Sequence, residues 1–152
     1  MKLQPLMTMR GNFRQPTDVV GAVPLGQRMI IEVADGSFEG ERLRGTLRGP
    51  AADWLMLGAN GIGHVDVRLT LETHDGALIF AQYVGKLVLN AKASAAIAQG
   101  KGTEFGDTHF MTQPRFETGS ADYAWLNSVV AVAEGRLVET GVEYNVFECL
   151  HD

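Results

Sequence analysis

The sequence predicts an all-β fold: an antiparallel meander closed into a small β-barrel, lipocalin-like in general shape, with one short helix. Three observations carry that prediction. Apolar and polar residues alternate with a period of two, most cleanly over residues 64–72, and such alternation marks strands with one buried face. The 18 glycines are spread along the chain rather than clustered, which suits many tight turns between short strands. Near-consecutive strands joined by turns form a meander, and a meander of this many strands removes its edges by closing.

Residues 2–9 alternate loosely and predict a first strand, which Pro5 places at an edge. Residues 12–27 carry the turn chemistry of Pro16, Gly21, Pro24 and Gly26 and read as a loop. A strand over 28–33 is followed by a turn at Asp35-Gly36, and the next strand covers 41–48, the pair forming a hairpin. A short apolar strand at 54–57 leads through Asn60-Gly61 into the strand 64–72. Asp75-Gly76 is the strongest hairpin signal, because a type I′ turn needs positive φ, and residues 78–89 are the partner strand. Ala91–Gln99 is the one helix, rich in alanine, free of Gly and Pro, and ended by Gly100. Strands over 110–118, 123–133 and 137–149 complete the set, with no internal repeat and no domain linker.

A chain of 152 residues is read as one domain over 1–152, long enough to bury a core without staples. Its 45% hydrophobic and 20% charged residues place it among folded globular chains. Thirteen basic against 18 acidic residues give a net charge of −5, and no basic stripe is visible, which argues against nucleic acid and anionic membranes as partners. Cys149 is the single cysteine, so no internal disulfide forms, as suits a reducing compartment. The start, MKLQPLMTMRGNF, lacks the apolar core of a secretory signal, and no run is long enough to span a bilayer. A cytoplasmic location is therefore expected.

Three constellations carry candidate chemistry. Over residues 64–72, Val65, Val67, Leu69 and Leu71 share one face, and His64, Asp66, Arg68, Thr70 and Glu72 share the other. A ladder holding an imidazole, an acid and a guanidinium is either a solvated outer face or the lining of a polar pocket. Inside a pocket its charges must be paired, and an Arg beside a carboxylate is shaped to hold a small acid. The second constellation is a predicted strand face of Tyr123, Trp125, Asn127 and Val129, suited either to an amphipathic pocket wall or to plain core packing. Trp54 with Asp53 beside it is a third, smaller group. Metal binding is not expected: His64 with Asp66, and Cys149 with His151, offer pairs without a third and fourth ligand. GANGIG at 58–63 precedes a strand and lacks a P-loop Lys, so it reads as a turn.

Those residues, together with Gly26, Gly36-Ser37-Phe38-Glu39-Gly40, Leu43, Gly45, Asp53-Trp54, Asn60-Gly61, Asp66-Val67-Arg68, Thr73, Asp75-Gly76-Ala77, Pro114, Phe116-Glu117-Thr118-Gly119 and Tyr123 with Trp125-Leu126-Asn127, make the chain similar to the DUF3237 family of small bacterial and fungal proteins. The likeness runs over nearly the whole length. Glu41 departs from it, standing where the family pattern has proline after the glycine. The resemblance implies a compact antiparallel barrel with a pocket inside or at its mouth. It supplies no reaction, because the family's general activity is not settled. It implies that Asp53, Asp66, Arg68, Tyr123, Trp125 and Asn127 converge if they all point inward, with one small ligand in the barrel.

The functional expectation is a small-molecule enzyme without cofactor: a lyase, hydratase or isomerase acting by acid–base chemistry on an oxo, hydroxy or aromatic acid. Arg68 would bind a carboxylate or polarise a carbonyl, Asp66 or Asp53 would take a proton, and Tyr123 would donate one. Trp54, His64, Trp125, Asn127 and Tyr83 would hold the substrate, with the Ala91–Gln99 helix as a lid. The alternatives are a lipocalin-like carrier or sensor with the same pocket and no turnover, and an interaction module whose ladder faces solvent. A homodimer is the expected assembly, because apolar strand faces on both sides of a small barrel call for a partner.

Overall fold

In the computed structural model, which describes residues 1–152, the elements in chain order are β1 (Lys2–Phe13), β2 (Asp18–Val23), β3 (Gly26–Glu39), β4 (Arg44–Leu57), β5 (Ile62–Thr73), β6 (Leu78–Val88), α1 (Ala91–Gln99), β7 (Phe110–Glu117), a 3-10 helix (Ala121–Ser128), β8 (Ala131–Val138) and β9 (Gly141–Leu150). Every strand pairing is antiparallel. The sheet runs β2-β3-β4-β5-β6-β7-β8-β9-β1, and β1 pairs back onto β3, closing an eight-stranded barrel with β2 as an extra strand outside the ring. The closed meander and the single α-helix follow the sequence expectation. No helix is long and apolar enough to cross a membrane.

Alternation puts the core inside the ring. Along β5, Val65, Val67, Leu69 and Leu71 are buried, and Ile79, Ala81 and Tyr83 meet them from β6. Leu71 and Ile79, cross-strand partners, are completely buried, and each such side chain contributes about 1.5–3 kcal/mol by leaving water. One continuous cluster of 26 buried residues fills the barrel. The interior is therefore a packed core, and the expectation that it holds one small ligand is not met.

Several predicted elements are corrected. Asp35-Gly36 is no turn: β3 runs straight through it to Glu39, pairing with β2 over its first half and with β1 over its second. The glycine is required by proximity, since a Cβ on Gly36 would lie 2.2 Å from the Arg10 carbonyl oxygen. The predicted loop 12–27 contains β2, hairpinned onto β3 with Val23 opposite Gly26. The two segments 41–48 and 54–57 are one strand, β4, with a register shift between Arg48 and Ala52 that accommodates Pro50. The predicted strand 123–133 is the 3-10 helix followed by β8, and the predicted strand 137–149 is the end of β8, a turn and β9.

At Asp75-Gly76, the Thr73 amide donates to the Ala77 carbonyl and the Gly76 amide to the Thr73 carbonyl. With φ at +89° for Gly76, this is a three-residue loop with a glycine bulge rather than a two-residue type I′ turn. The helix α1 follows its expected limits: the Asn90 side chain accepts from the Ala93 amide, and Gly100 at φ 62° takes the left-handed cap.

Candidate functional site

Because β5 buries its valines and leucines, its polar ladder faces out of the barrel. His64 and Arg68 are exposed, and Asp66, Thr70 and Glu72 are partly covered. Register then decides the ladder's neighbours. Arg28, Met56, His64, Lys86 and Met111 form one outward row across β3, β4, β5, β6 and β7, by successive pairings. The row beside it brings Trp54, Asp66, Val84 and Gln113 together. These two rows, with His109, Thr112 and Val132, line an open groove of about 620 Å³ on the outer sheet face. That volume suits a small molecule. Arg28 and Lys86 face it against the single carboxylate of Asp66, so the groove is locally cationic on a chain of net charge −5.

The groove lies over a break in the β4–β5 ladder. Asp53 pairs with Val67 and Met56 with His64, whereas Trp54 and Leu55 between them have no partner on β5. Side chains take over the backbone groups left there. The Asp53 carboxylate accepts from the Asp66 amide at 2.9 Å, and the Arg28 guanidinium donates to the Trp54 carbonyl at 2.5 Å. Asp53 is turned inward and mostly buried. Loss of hydration lifts its pKa from 3.8 to about 6; the Asp66 amide opposes this, the Asp66 charge adds to it, and Arg28 opposes it. Asp66 Oδ1 is buried with no hydrogen-bond partner. Lys86 Nζ lies 2.6 Å from His64 Nδ1, an arrangement in which the ammonium donates to the ring nitrogen. The Arg68 guanidinium lies over the Trp54 ring, 5.8 Å from its centroid. No three His, Cys, Asp or Glu side chains converge as a metal site.

Tyr83 is inside. Its ring meets Tyr144 edge-on at 5.3 Å, and Tyr144 meets Phe110 in the same way. Burial pushes both phenols well above their ordinary range, and the Asp53 charge adds to the effect on each. Thr112, also buried, has an Oγ1 without a partner. Asp53, Tyr83, Tyr144 and Thr112 are thus the polar exceptions of the core beneath the groove.

Tyr123, Trp125 and Asn127 are elsewhere. They lie in the 3-10 helix and not on a strand face, so the predicted aromatic wall does not form. Tyr123 and Leu126 are buried under the far end of β5, where the Tyr123 hydroxyl donates to Asp75 at 2.9 Å. Nine residues separate His64 from Thr73 on β5, roughly 30 Å of strand. Asn127 bonds both the amide and the carbonyl of Thr118, and Trp125 lies under the Arg42 guanidinium at 3.9 Å. These are contacts that fasten the 3-10 helix to the barrel. The expected convergence of Asp53, Asp66, Arg68, Tyr123, Trp125 and Asn127 is accordingly overturned. Trp54, His64 and Asp66 share the groove, Arg68 flanks it through Trp54, Asp53 and Tyr83 lie inside the barrel wall, and the other three sit at its far end. Arg28, Met56, Lys86, His109 and Gln113 were not foreseen.

The solved structures most like this one include a β-barrel-like protein of Acinetobacter baumannii AYE, 33% identical with a TM-score of 0.82, covering 97% of this chain and 94% of that one. RPA1785 of Rhodopseudomonas palustris, described as a conserved protein of unknown function, superposes with a TM-score of 0.89 at 24% identity over 99% of each chain. An enzyme of Penicillium herquei shares the fold, with a TM-score of 0.69 at 18% identity over 97% of this chain and 94% of its own. By sequence, the UPF0311 protein RPA1785 is 29% identical over 130 residues, 86% of this chain and 85% of that protein. A UPF0311 protein of Bradyrhizobium diazoefficiens is 29% identical over 118 residues, 76% of this chain and 77% of that one. The model of the DUF3237 family, proteins of unknown function, matches residues 1–149, and with barrel, register and relatives in agreement the chain belongs to that family.

Proposed function

We propose that this barrel is a cofactor-independent acid–base enzyme, a lyase, hydratase or isomerase, acting on a small oxo, hydroxy or aromatic acid held in the outer groove. The observation that carries the reading is the pair of carboxylates at the ladder break. Asp66 faces the groove, and Asp53 stands behind it, bonded to its amide, with a pKa of about 6. A groove-facing carboxylate with one oxygen free of protein partners, held from behind by a second, buried carboxylate, is suited to accept a proton. Lys86 and Arg28 attract the substrate carboxylate, and Trp54, backed by Arg68, offers a flat surface to an unsaturated body. Asp66 takes the proton from the bound acid, and its position is fixed through the backbone by Asp53.

The test is a thermal-shift screen of small oxo, hydroxy and aromatic acids against wild type, Lys86→Ala and Asp66→Asn, with mass spectrometry of every hit. The expected result is a stabilising acid that Lys86→Ala no longer binds. Asp66→Asn should still bind it but convert it about 100-fold or more slowly, the range for loss of a general base. An acid that binds tightly and returns unchanged makes the protein a carrier or sensor instead. If no acid stabilises wild type, the groove is not a binding site for this class.

A further inference from the structure

The ring of strands closes, so the barrel itself has no edge; the extra strand β2 restores one. Its sole strand partner is β3, and the opposite side of β2 carries unpaired backbone amides and carbonyls. β1 and β2 lie end to end along β3, with Phe13 opposite Val33 and Asp18 opposite Ile30. β9 ends its pairing with β1 at Asn12, opposite Gly141, so no strand continues beside β2. Val19 and Val20 are 67% and 57% exposed, and Leu25 in the adjoining turn is 82% exposed. Natural edges of this kind are blunted by lysine, an internal proline or a bulge; DVVGAV has no lysine and no proline, and the register shift between Val19 and Gly21 is its one such device.

From this geometry we propose that the free edge of β2 pairs antiparallel with the β2 edge of a second copy of the chain across a two-fold axis. Three features favour a second copy over an unrelated strand. The six residues of β2 are bracketed by Pro16 and Pro24, so two copies end together and match in length. Asp18 is the strand's sole charge; with the axis between Val20 and Gly21 it falls opposite Val23, and with the axis at Val20 it falls opposite Ala22. In neither register do like charges meet, and like charges directly opposite would oppose pairing. The pairing is isologous, so one stretch of sequence supplies both sides of the contact. One short strand pair is a small interface, so the dimer is reversible and concentration-dependent.

Sedimentation velocity on the full chain from micromolar to near-millimolar concentration tests this, with Val19→Lys, Val20→Lys and the doubly substituted chain beside it. Both positions are exposed, so the lysines leave the barrel core untouched. Ile97→Lys, on the exposed side of α1, is the control. A wild-type dimer that persists in Ile97→Lys and dissociates at least tenfold more readily in the double lysine chain supports the pairing. Hydrogen exchange should slow at β2 amides as concentration rises. A wild type that stays monomeric throughout overturns the proposal and leaves the edge to a strand from another protein. A dimer indifferent to the lysines overturns it too, and assigns assembly to another face. Neither result bears on the groove, whose test is ligand binding.

Discussion

Asp53 shows what one buried carboxylate does to a barrel wall. Its folded pKa of about 6 lies above the ordinary 3.8, so the native state holds the proton more tightly than the unfolded chain. Stability is then fully present below about pH 4, is lost as the pH climbs toward about 6, and stays reduced above that, by on the order of 3 kcal/mol. Asn in place of Asp53 keeps an oxygen for the Asp66 amide and removes the titration. Urea denaturation of Asp53→Asn is therefore expected to give a more stable protein than wild type near pH 7.5, with the gap closing near pH 4. A variant weaker than wild type by the same amount at both values would show that Asp53 holds the strands together through packing and hydrogen-bond geometry, whatever its charge. The sequence made Asp53, Asp66 and Trp54 visible as chemistry-bearing residues, but not that Asp53 would turn inward while Asp66 turned outward. Adjacent polar residues on β4 and β5 look alike in sequence, and only the break in the ladder tells their surroundings apart.

Elements were legible where their signals are local. The helix α1 has its cap residues at both ends, and the ladder strand β5 has strict alternation. Turn length was harder to read, and it decides the site. A two-residue loop at Asp75-Gly76 would set Leu87 opposite His64, whereas the three-residue loop sets Lys86 there. A slip of one residue exchanges the two faces of a strand, which is why Lys86 stayed out of view. The segment 123–133 failed differently: its aromatic and branched residues favour strand, yet Tyr123 and Leu126 are better buried from a helical turn fastened by Asn127. Gly36 resembles a turn glycine in sequence and serves as a crossing point of backbones instead. Gly36→Ala is expected to cost roughly 3 kcal/mol or more in chemical denaturation, since its Cβ would strike a carbonyl that strand pairing holds in place. Gly119→Ala, where a Cβ meets nothing within 4 Å, should stay within about 0.5 kcal/mol of wild type. Equal effects at the two positions would contradict the close approach.

Across the whole molecule, alternation and glycine spacing were enough to anticipate a closed antiparallel barrel, because a meander with one apolar face per strand has few other ways to bury it. They were not enough to say whether its interior would be hollow. That depends on the volume of the inward side chains, and the cluster running from Leu6 to Val146 fills the space. The chemistry is thereby displaced from the inside of the ring to its outer wall, where the polar half of each strand already points. Closure also sets an order of events. Lys2 pairs with Leu150 and Asn12 with Gly141, so the first strand of the ring is joined along one side by its last. β1 can meet β3 early, but its other edge waits for β9. In refolding from denaturant, protection of β1 amides facing β9 should trail that of the β5–β6 hairpin, on the millisecond-to-second scale of non-local β pairing. Until then the barrel is an open sheet with its hydrophobic face uncovered, and during that interval it is most open to aggregation.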